Sequence, residues 1–447
     1  MSDHDDARTT PTTIAAATRL DPHLDLEFVR AQFPAFEEPS LQGWIHAQNA
    51  GGSYACRQVI DRLTTFYRTT KLQGGDHFPA GAAANEAMAQ GWPGLARWLN
   101  VGEDEVHIGP STSQNTVVLA GAFGQVLGPG DAVVVTNQDH EANSGVWRRL
   151  ADRGVEVREW QVDPGTGRLK LDGLDIVLDD DVAVVAFPHV SNIVGEVNPV
   201  AEIVGRAHAA GAVTVCDGVA AAPHGMPDVD ALGVDVYLFS AYKTFGPHQG
   251  VMVVRRELAQ RLPNRGHFFN EGAIHLRFVP AGPDHAQVAA MAGVPAYLDL
   301  LTDHHVPVGA GGGAGGDGGG DGGAGGAGDD GSDRRAGLQS LVAAHEHRLM
   351  GPILEVVADR TGVRILGPGG TAGRVPTISL ICERDPGRLA VALADHQVMA
   401  AAGHFYAWRL LDAMGMDPDR GVLRVSLVHS TTVQEAETVA AALDAVL

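Results

Sequence analysis

The chain alternates short, unbroken apolar runs with longer stretches whose apolar residues recur every three or four positions. Ala132–Thr136, Val182–Phe187, Ala212–Cys216, Val236–Phe239 and Gly250–Val254 are the clearest runs. Runs of this length, rich in valine, fit strands buried on both faces. The stretch Val200–Ala210 between two of them carries helical spacing instead. Strands alternating with helices predict an α/β domain with a mostly parallel sheet covered on both sides. Ligands of such sheets sit at the carboxyl ends of the strands. His140, His189, Asn192, Asp217 and Lys243 each fall just after a predicted strand, a first pointer to one shared site.

The pattern changes toward both ends. Leu24–Phe33 predicts a short amphipathic helix stopped by Pro34. Beyond the large domain, Leu338–Ala358 predicts a helix, Arg364–Leu366, Thr377–Cys382 and Val422–Leu427 predict strands, and Gln434–Leu447 a closing helix. These elements read as a smaller α+β domain. Val308–Gly337 is dominated by Gly, Ala and Asp, has no regular nonapeptide period, and reads as a flexible insertion. At 447 residues, and roughly 100–200 residues per domain, two or three units are expected. The predicted division is a disordered tail over 1–23, a large domain over 45–295, and a small domain formed by 24–44 and 296–447 around the 308–337 insertion.

Composition narrows the function. A formal charge of −22 argues against nucleic-acid or anionic-membrane partners, which need clustered Lys and Arg. Three cysteines, Cys56, Cys216 and Cys382, stand far apart, which excludes a disulfide framework and fits a reducing compartment. The N-terminal stretch lacks the apolar core of a signal peptide, and no apolar run is long enough for a membrane span. The expected location is therefore cytoplasmic. No metal site is expected: in His345-Glu346-His347 and Asp303-His304-His305 the spacing does not place paired ligands on one helix face.

The candidate chemistry centres on Lys243 in Ser240-Ala241-Tyr242-Lys243-Thr244-Phe245-Gly246-Pro247-His248. A turn lysine is ordinarily a solvated surface group, but small, aromatic and Gly/Pro neighbours suit one poorly. Asp217 ends one predicted strand and Lys243 follows the next, so both would lie at the same sheet edge. Gly109–Asn115 precedes the helical run Val117–Phe123, and its hydroxyls serve either as an ordinary cap or as an anion site. His140, flanked by Asp139 and Glu141, is either structural or part of the site. Pyridoxal 5′-phosphate needs a lysine, a carboxylate for its ring nitrogen, phosphate donors and a group over the ring. This sequence can supply all four.

Taken together, these segments resemble the class V aminotransferase superfamily of fold-type I pyridoxal-phosphate enzymes, and most closely its cysteine desulfurase-like branch. The likeness runs from about Leu24 to the C-terminus, interrupted by the Gly-rich insertion. It is carried by Asn49-Ala50-Gly51-Gly52-Ser53, Ser111-Thr112, Asp139-His140-Glu141-Ala142-Asn143, His189–Gly195, Asp217-Gly218-Val219, Pro223-His224-Gly225, Ser240–Lys243 and Leu423-Arg424-Val425-Ser426. The resemblance implies that Lys243 holds the cofactor as a Schiff base and later shuttles the Cα proton. It implies that Asp217 keeps the pyridine nitrogen protonated, His140 stacks on the ring, and Asn192 bonds the phenolic oxygen. Ser111, Thr112 and Ser240 would bind the phosphate, Arg424 would clamp the substrate α-carboxylate, and Asn49 would line the substrate site. A homodimer acting on a small amino acid is implied as well.

Three departures matter. Desulfurases carry a nucleophilic cysteine on a small-domain loop, and the corresponding stretch here, Ala400–Tyr406, has none. A persulfide relay needs a thiolate. The family's Gln or His after the Asp is Ala220, and Arg277–Pro283 lacks the threonine that relatives offer to the neighbouring subunit's phosphate. The expected reaction is thus C–S lyase chemistry by β-elimination. Transamination and epimerisation share its early steps, and a non-catalytic binding protein is the alternative of another class.

Overall fold

The computed structural model describes residues 23–307 and 329–447 apart from residue 359. After a two-residue strand β1 (Ile45–His46), seven strands form the main sheet: β2 (Val106–Gly109), β3 (Ala132–Thr136), β4 (Glu156–Trp160), β5 (Val182–Pro188), β6 (Val213–Asp217), β7 (Val236–Ser240) and β8 (Gly250–Val254). Their spatial order is β2-β8-β7-β6-β5-β3-β4. Neighbours from β7 through β4 pair parallel, while β8 runs antiparallel to both β7 and β2.

Strand alternation explains why the predicted runs are apolar throughout. Val134, Val185, Phe187, Cys216, Tyr237 and Phe239 join one apolar cluster. Their chain neighbours Val133, Val135, Val184, Ala186, Val215 and Leu238 join a second cluster on the opposite face. Each residue of these strands therefore meets a helical layer, which a period-two polar face could not do. Pairing places Pro188 opposite Asp217, and Asp217 opposite Leu238, so β5 and β6 end level and β7 runs two residues further, to Ser240.

The small domain adds β9 (Val363–Ile365), β10 (Thr377–Cys382), β11 (Val398–Met399), β12 (Ala401–Gly403) and β13 (Val422–Ser426). Four of them make an antiparallel sheet ordered β12-β13-β10-β9, and β11 pairs parallel with β1. The closing helix Val433–Val446 begins in a capping box of Thr432 and Glu435 and packs Val439 and Leu443 onto this sheet's core.

The predicted division is redrawn by where the apolar side chains go. Leu24, Val29 and Phe33, expected with the small domain, lie in the large-domain cluster with Cys56 and Tyr297. Helix Gly293–His305 packs there too, through Val294, Leu298 and Leu301. Conversely Ile45 and Ala47 belong to the small-domain core. A long helix, Asp329–Ala358, serves both: Leu338, Leu341 and Val342 face the large core, Leu349, Ile353 and Val357 the small one. Its start corrects another expectation, because the end of the Gly-rich stretch is helical rather than loose. Arg334 donates to Asp303 (2.7 Å) and to the Val306 carbonyl, and Arg335 to the Trp98 carbonyl (3.1 Å). Tertiary anchors thus override a composition poor in helix formers. Residues 1–22 and 308–328, the bulk of the expected tail and insertion, lie outside the described residues. Among the described residues no helix is long and apolar enough to cross a membrane.

Candidate active site

A cavity opens at the carboxyl ends of β3, β5, β6 and β7. Thr112, Asp139, His140, Asn192, Asp217, Ser240 and Lys243 line it, together with Ser113, Val190, Ala220 and Tyr242. Six of the nine residues named from the sequence therefore meet in one place: Thr112, His140, Asn192, Asp217, Ser240 and Lys243.

Lys243 ends the single turn that follows β7, and its side chain is buried. Three contacts brace its backbone from the segment after Asn49. Ser53 N–H donates to the Tyr242 carbonyl (3.1 Å), the Ser53 hydroxyl donates to the Lys243 carbonyl (2.8 Å), and Cys56 N–H donates to the Phe245 carbonyl (2.9 Å). Burial, reinforced by the positive charge of Arg424, brings the Lys243 amine down to about 8 despite the opposing pull of Asp217. An amine in that range is neutral often enough at ordinary pH to act as a nucleophile and base.

Asp217 is the last residue of β6. Burial raises its carboxyl to about 6, although it accepts from Val219 N–H (2.8 Å) and faces Lys243. Beside it lies a second buried acid, Asp139, pushed up first by burial and then by the charge of Asp217. Asp139 accepts from His140 N–H (2.8 Å) and from Asn143 Nδ2 (2.7 Å). Carboxyls raised and an amine lowered by burial in one cavity are the pattern by which functional sites are recognised.

His140 caps the helix Glu141–Arg148, its Nδ1 accepting from Ala142 N–H (3.1 Å). Nδ1 is therefore the acceptor and Nε2 carries the proton. Burial first, then Lys243, Arg424 and His404, lower the imidazole to about 3, so the ring stays neutral.

At one end of the cavity the hydroxyls of Thr112 and Ser240 are hydrogen-bonded at 2.8 Å. The first-turn N–H groups of helix Thr112–Phe123 have no partners within the helix, and its dipole favours an anion there. Gly250 lets β8 approach this turn, since a Cβ would sit 2.2 Å from the Ser111 carbonyl carbon. Ser111, by contrast, is not among the cavity-lining residues. Its hydroxyl is committed to capping the helix by accepting from Gln114 N–H (3.2 Å), and Ser113 lines the cavity in its place. A pair of adjacent hydroxyls in the sequence did not say which would be the cap.

Arg424 and Asn49 stand behind this first layer. Arg424, on β13, is buried and donates to the Asn192 carbonyl (2.9 Å), while its Nε has no partner. Burial lowers its guanidinium to about 9. Asn49 spends both amide hydrogens on backbone, donating to the His46 (2.8 Å) and Ser426 (3.2 Å) carbonyls. It ties the segment ahead of Ser53 to the end of β13, a bracing role that the sequence motif did not distinguish from substrate contact.

The departures are visible in space. Ala220 lines the cavity, leaving no polar side chain at that point. All three cysteines are buried in strands or cores: burial pushes Cys56 up to about 12, Cys382 to about 11, and Cys216 well above its usual range. The loop after β12 presents His404, Phe405 and Tyr406 instead of a thiol. The histidine pairs have structural partners. His304 meets Asp25 (3.0 Å), His345 bonds the Thr431 carbonyl (2.8 Å), and Glu346 meets His224 (2.9 Å).

These residues fit pyridoxal 5′-phosphate. Two hydroxyls at a helix start, a buried carboxyl, a neutral imidazole and a lysine with a lowered pKa line one cavity, and behind it the Arg424 Nε has no partner.

Residues 45–271 match the family described as aminotransferase class-V. The chain is 31% identical over 434 residues to "Aminotransferase-like protein FGM3" of Gibberella zeae, covering 94% of this chain and 98% of that one. It is 34% identical over 245 residues to a cysteine desulfurase of Yersinia pseudotuberculosis, covering 53% of this chain and 60% of that relative. The apo cysteine desulfurase of Thermococcus onnurineus superposes with a TM-score of 0.77 at 20% identity, covering 95% of this chain and 98% of the other, which shows a common fold-type I architecture.

Proposed function

The chain belongs to the class V aminotransferase, cysteine desulfurase-like family, and on that premise we propose that it is a pyridoxal-phosphate enzyme that cleaves a C–S bond of an amino acid by β-elimination, without a protein persulfide. The observation that carries the reading is the pairing of an intact lysine–carboxylate site with the absence of any accessible thiol. Every cysteine is buried with a raised pKa, so none offers the thiolate that accepts sulfur in a relay.

The bound cofactor supplies an aldehyde that condenses with amines and a ring that withdraws electrons from Cα. The protein's residues do the rest. Thr112 and Ser240 donate to the phosphate, and Asp217 provides the negative charge that a protonated ring nitrogen requires. Arg424 receives the α-carboxylate in a bidentate pairing suited to guanidinium. Lys243 Nζ, neutral above about pH 8, takes the Cα proton. His140, neutral with its proton on Nε2, would stack on the bound ring. The net reaction converts an S-substituted cysteine and water into a thiol, pyruvate and ammonium. We place the enzyme in the cytoplasm as a homodimer; exposed Phe268 and Phe269 on one short turn support a partnered surface.

Purified protein loaded with cofactor should show a visible-region absorption band that borohydride abolishes, leaving a pyridoxyl group on Lys243. Incubation with S-methyl-L-cysteine should then yield pyruvate and methanethiol in equal amounts. Accumulation of pyridoxamine phosphate instead marks a transaminase, and racemisation with solvent deuterium at Cα marks an epimerase. No absorption band at all would leave a binding protein.

A further inference from the structure

The loop that stands where desulfurases carry their nucleophile has an unusual build. Phe405 (φ 48°) and Tyr406 (φ 60°) are consecutive non-glycine residues in the left-handed region, which L-residues enter only at a cost. Such outliers persist where surrounding contacts over-determine them, often at functional sites. Here those contacts converge on the site residues. The Phe405 ring lies under the Arg424 guanidinium, 3.7 Å from carbon to ring centroid. The Phe405 carbonyl accepts from Asn192 Nδ2 (2.8 Å). The Tyr406 ring packs against His140 with centroids 4.9 Å apart, and the Tyr406 carbonyl accepts from Glu141 N–H (2.8 Å). His404 closes the turn by accepting Tyr406 N–H on Nδ1 (3.0 Å).

We propose that Phe405 and Tyr406 form a two-residue clamp that positions Arg424 for the substrate carboxylate and His140 for the cofactor ring. Among the described residues Arg424 pairs with no carboxylate, and its Nε has no partner. The aromatic face below and the Asn192 carbonyl beside it hold the guanidinium in one plane, so an incoming carboxylate meets it without reorganisation. Tyr406 plays the same part for His140, shielding a ring that must remain neutral. The left-handed backbone is what turns two successive side chains toward two different targets. A regular strand would point them to opposite faces of a sheet. The functional meaning of the clamp rests on the roles proposed above for Arg424 and His140.

The test uses a probe pair differing only in the carboxylate: S-methyl-L-cysteine and 2-(methylthio)ethylamine, whose binding to the cofactor-loaded protein is read from the spectral shift. Phe405→Gly is the main variant, because glycine suits the backbone and the chain should keep its circular dichroism and its pyridoxyl label on Lys243. It should weaken the amino acid about tenfold (1.4 kcal/mol) and leave the amine unchanged, while Phe405→Tyr restores the wild-type ratio. For Tyr406, the cofactor-free chain is treated with diethyl pyrocarbonate and modification of His140 is followed by peptide mapping. Tyr406→Ala should accelerate it about tenfold and Tyr406→Phe leave it unaltered. Unchanged probe discrimination in Phe405→Gly together with unchanged His140 reactivity in Tyr406→Ala overturns the clamp. Arg424→Ala separates the two readings. If it keeps the wild-type discrimination between the probes, the carboxylate assignment falls; if it loses that discrimination while Phe405→Gly keeps it, only the clamp falls.

Discussion

At the carboxyl edge of the main sheet, Asp217 and Ser240 are the last residues of β6 and β7, and Lys243 sits one turn beyond. Their positions follow from strand register, and strand register follows from valine-rich runs that pack on both faces. Across the cavity, the small domain offers Arg424 from a strand of its own sheet and Phe405 and Tyr406 from a left-handed turn held by scattered contacts. One region places its groups by repetitive backbone pairing, the other by a few contacts specific to this chain. On the reading proposed above, the first carries the groups for the cofactor and the second those that meet the substrate.

The sharpest way to break that division is Lys243→Ala. Removing the amine should abolish the borohydride-trapped label and slow exchange of the substrate Cα proton with solvent deuterium by about 10²–10⁴-fold. The fold should survive, since a buried amine with a lowered pKa contributes little to stability. A label that persisted on another lysine would move the site elsewhere. Next in size is Leu380→Ala on β10, fully buried in the small-domain core. It should cost about 2–5 kcal/mol in urea unfolding, yet the cofactor label on Lys243 should still form. Loss of the label with this remote cavity would show that the sheet edge is not assembled independently.

Asp217→Asn probes the cost of the site itself. The folded chain holds the Asp217 proton to about pH 6, against about 3.9 in an unfolded chain. A raised carboxyl stabilises the fold at low pH, and that contribution is lost as pH rises through 6. At pH 8 the buried charge is therefore a burden on the cofactor-free chain. Asp217→Asn should raise the urea midpoint at pH 8, by about 2–3 kcal/mol at most, and change little at pH 4. The same variant should bind cofactor more weakly. Equal effects at both pH values would rule out the charge as the cause.

The legible parts of the molecule were those built by repetition. Five main-sheet strands, the β10 and β13 strands and the closing helix follow from runs of apolar residues, and Asp217 and Lys243 follow from where those runs end. β4 escaped because Glu156, Arg158 and Glu159 interrupt its pattern at the edge of the sheet, where one side needs no pairing partner. β1, β11 and β12 span two or three residues, too few to show a period. The assignment of Leu24 and Phe33 to the large core, the capping duty of Ser111, and the bracing duty of Asn49 depend on partners distant in the chain. The absence of a loop cysteine was visible, but the rings that take its place gained meaning only beside Arg424 and His140.

The smallest expected effect concerns an ion pair that crosses between the two regions at the loop. Arg409, on the helix after the loop, donates to Glu141 from Nε (2.8 Å) and from a terminal nitrogen (3.2 Å). Glu141 opens the helix that His140 caps, where a carboxylate also favours the dipole. Both side chains are partly exposed, at 37% and 44%, so solvent and salt screen the pair. Arg409→Gln should cost only about 0.2–1 kcal/mol, and less as ionic strength rises. The backbone bond from Glu141 N–H to the Tyr406 carbonyl needs neither charge, so the probe discrimination that depends on Phe405 should be untouched. If Arg409→Gln instead erased that discrimination, and did so more at low salt than at high, the loop would be held by charge and the aromatic clamp would be its consequence rather than its cause.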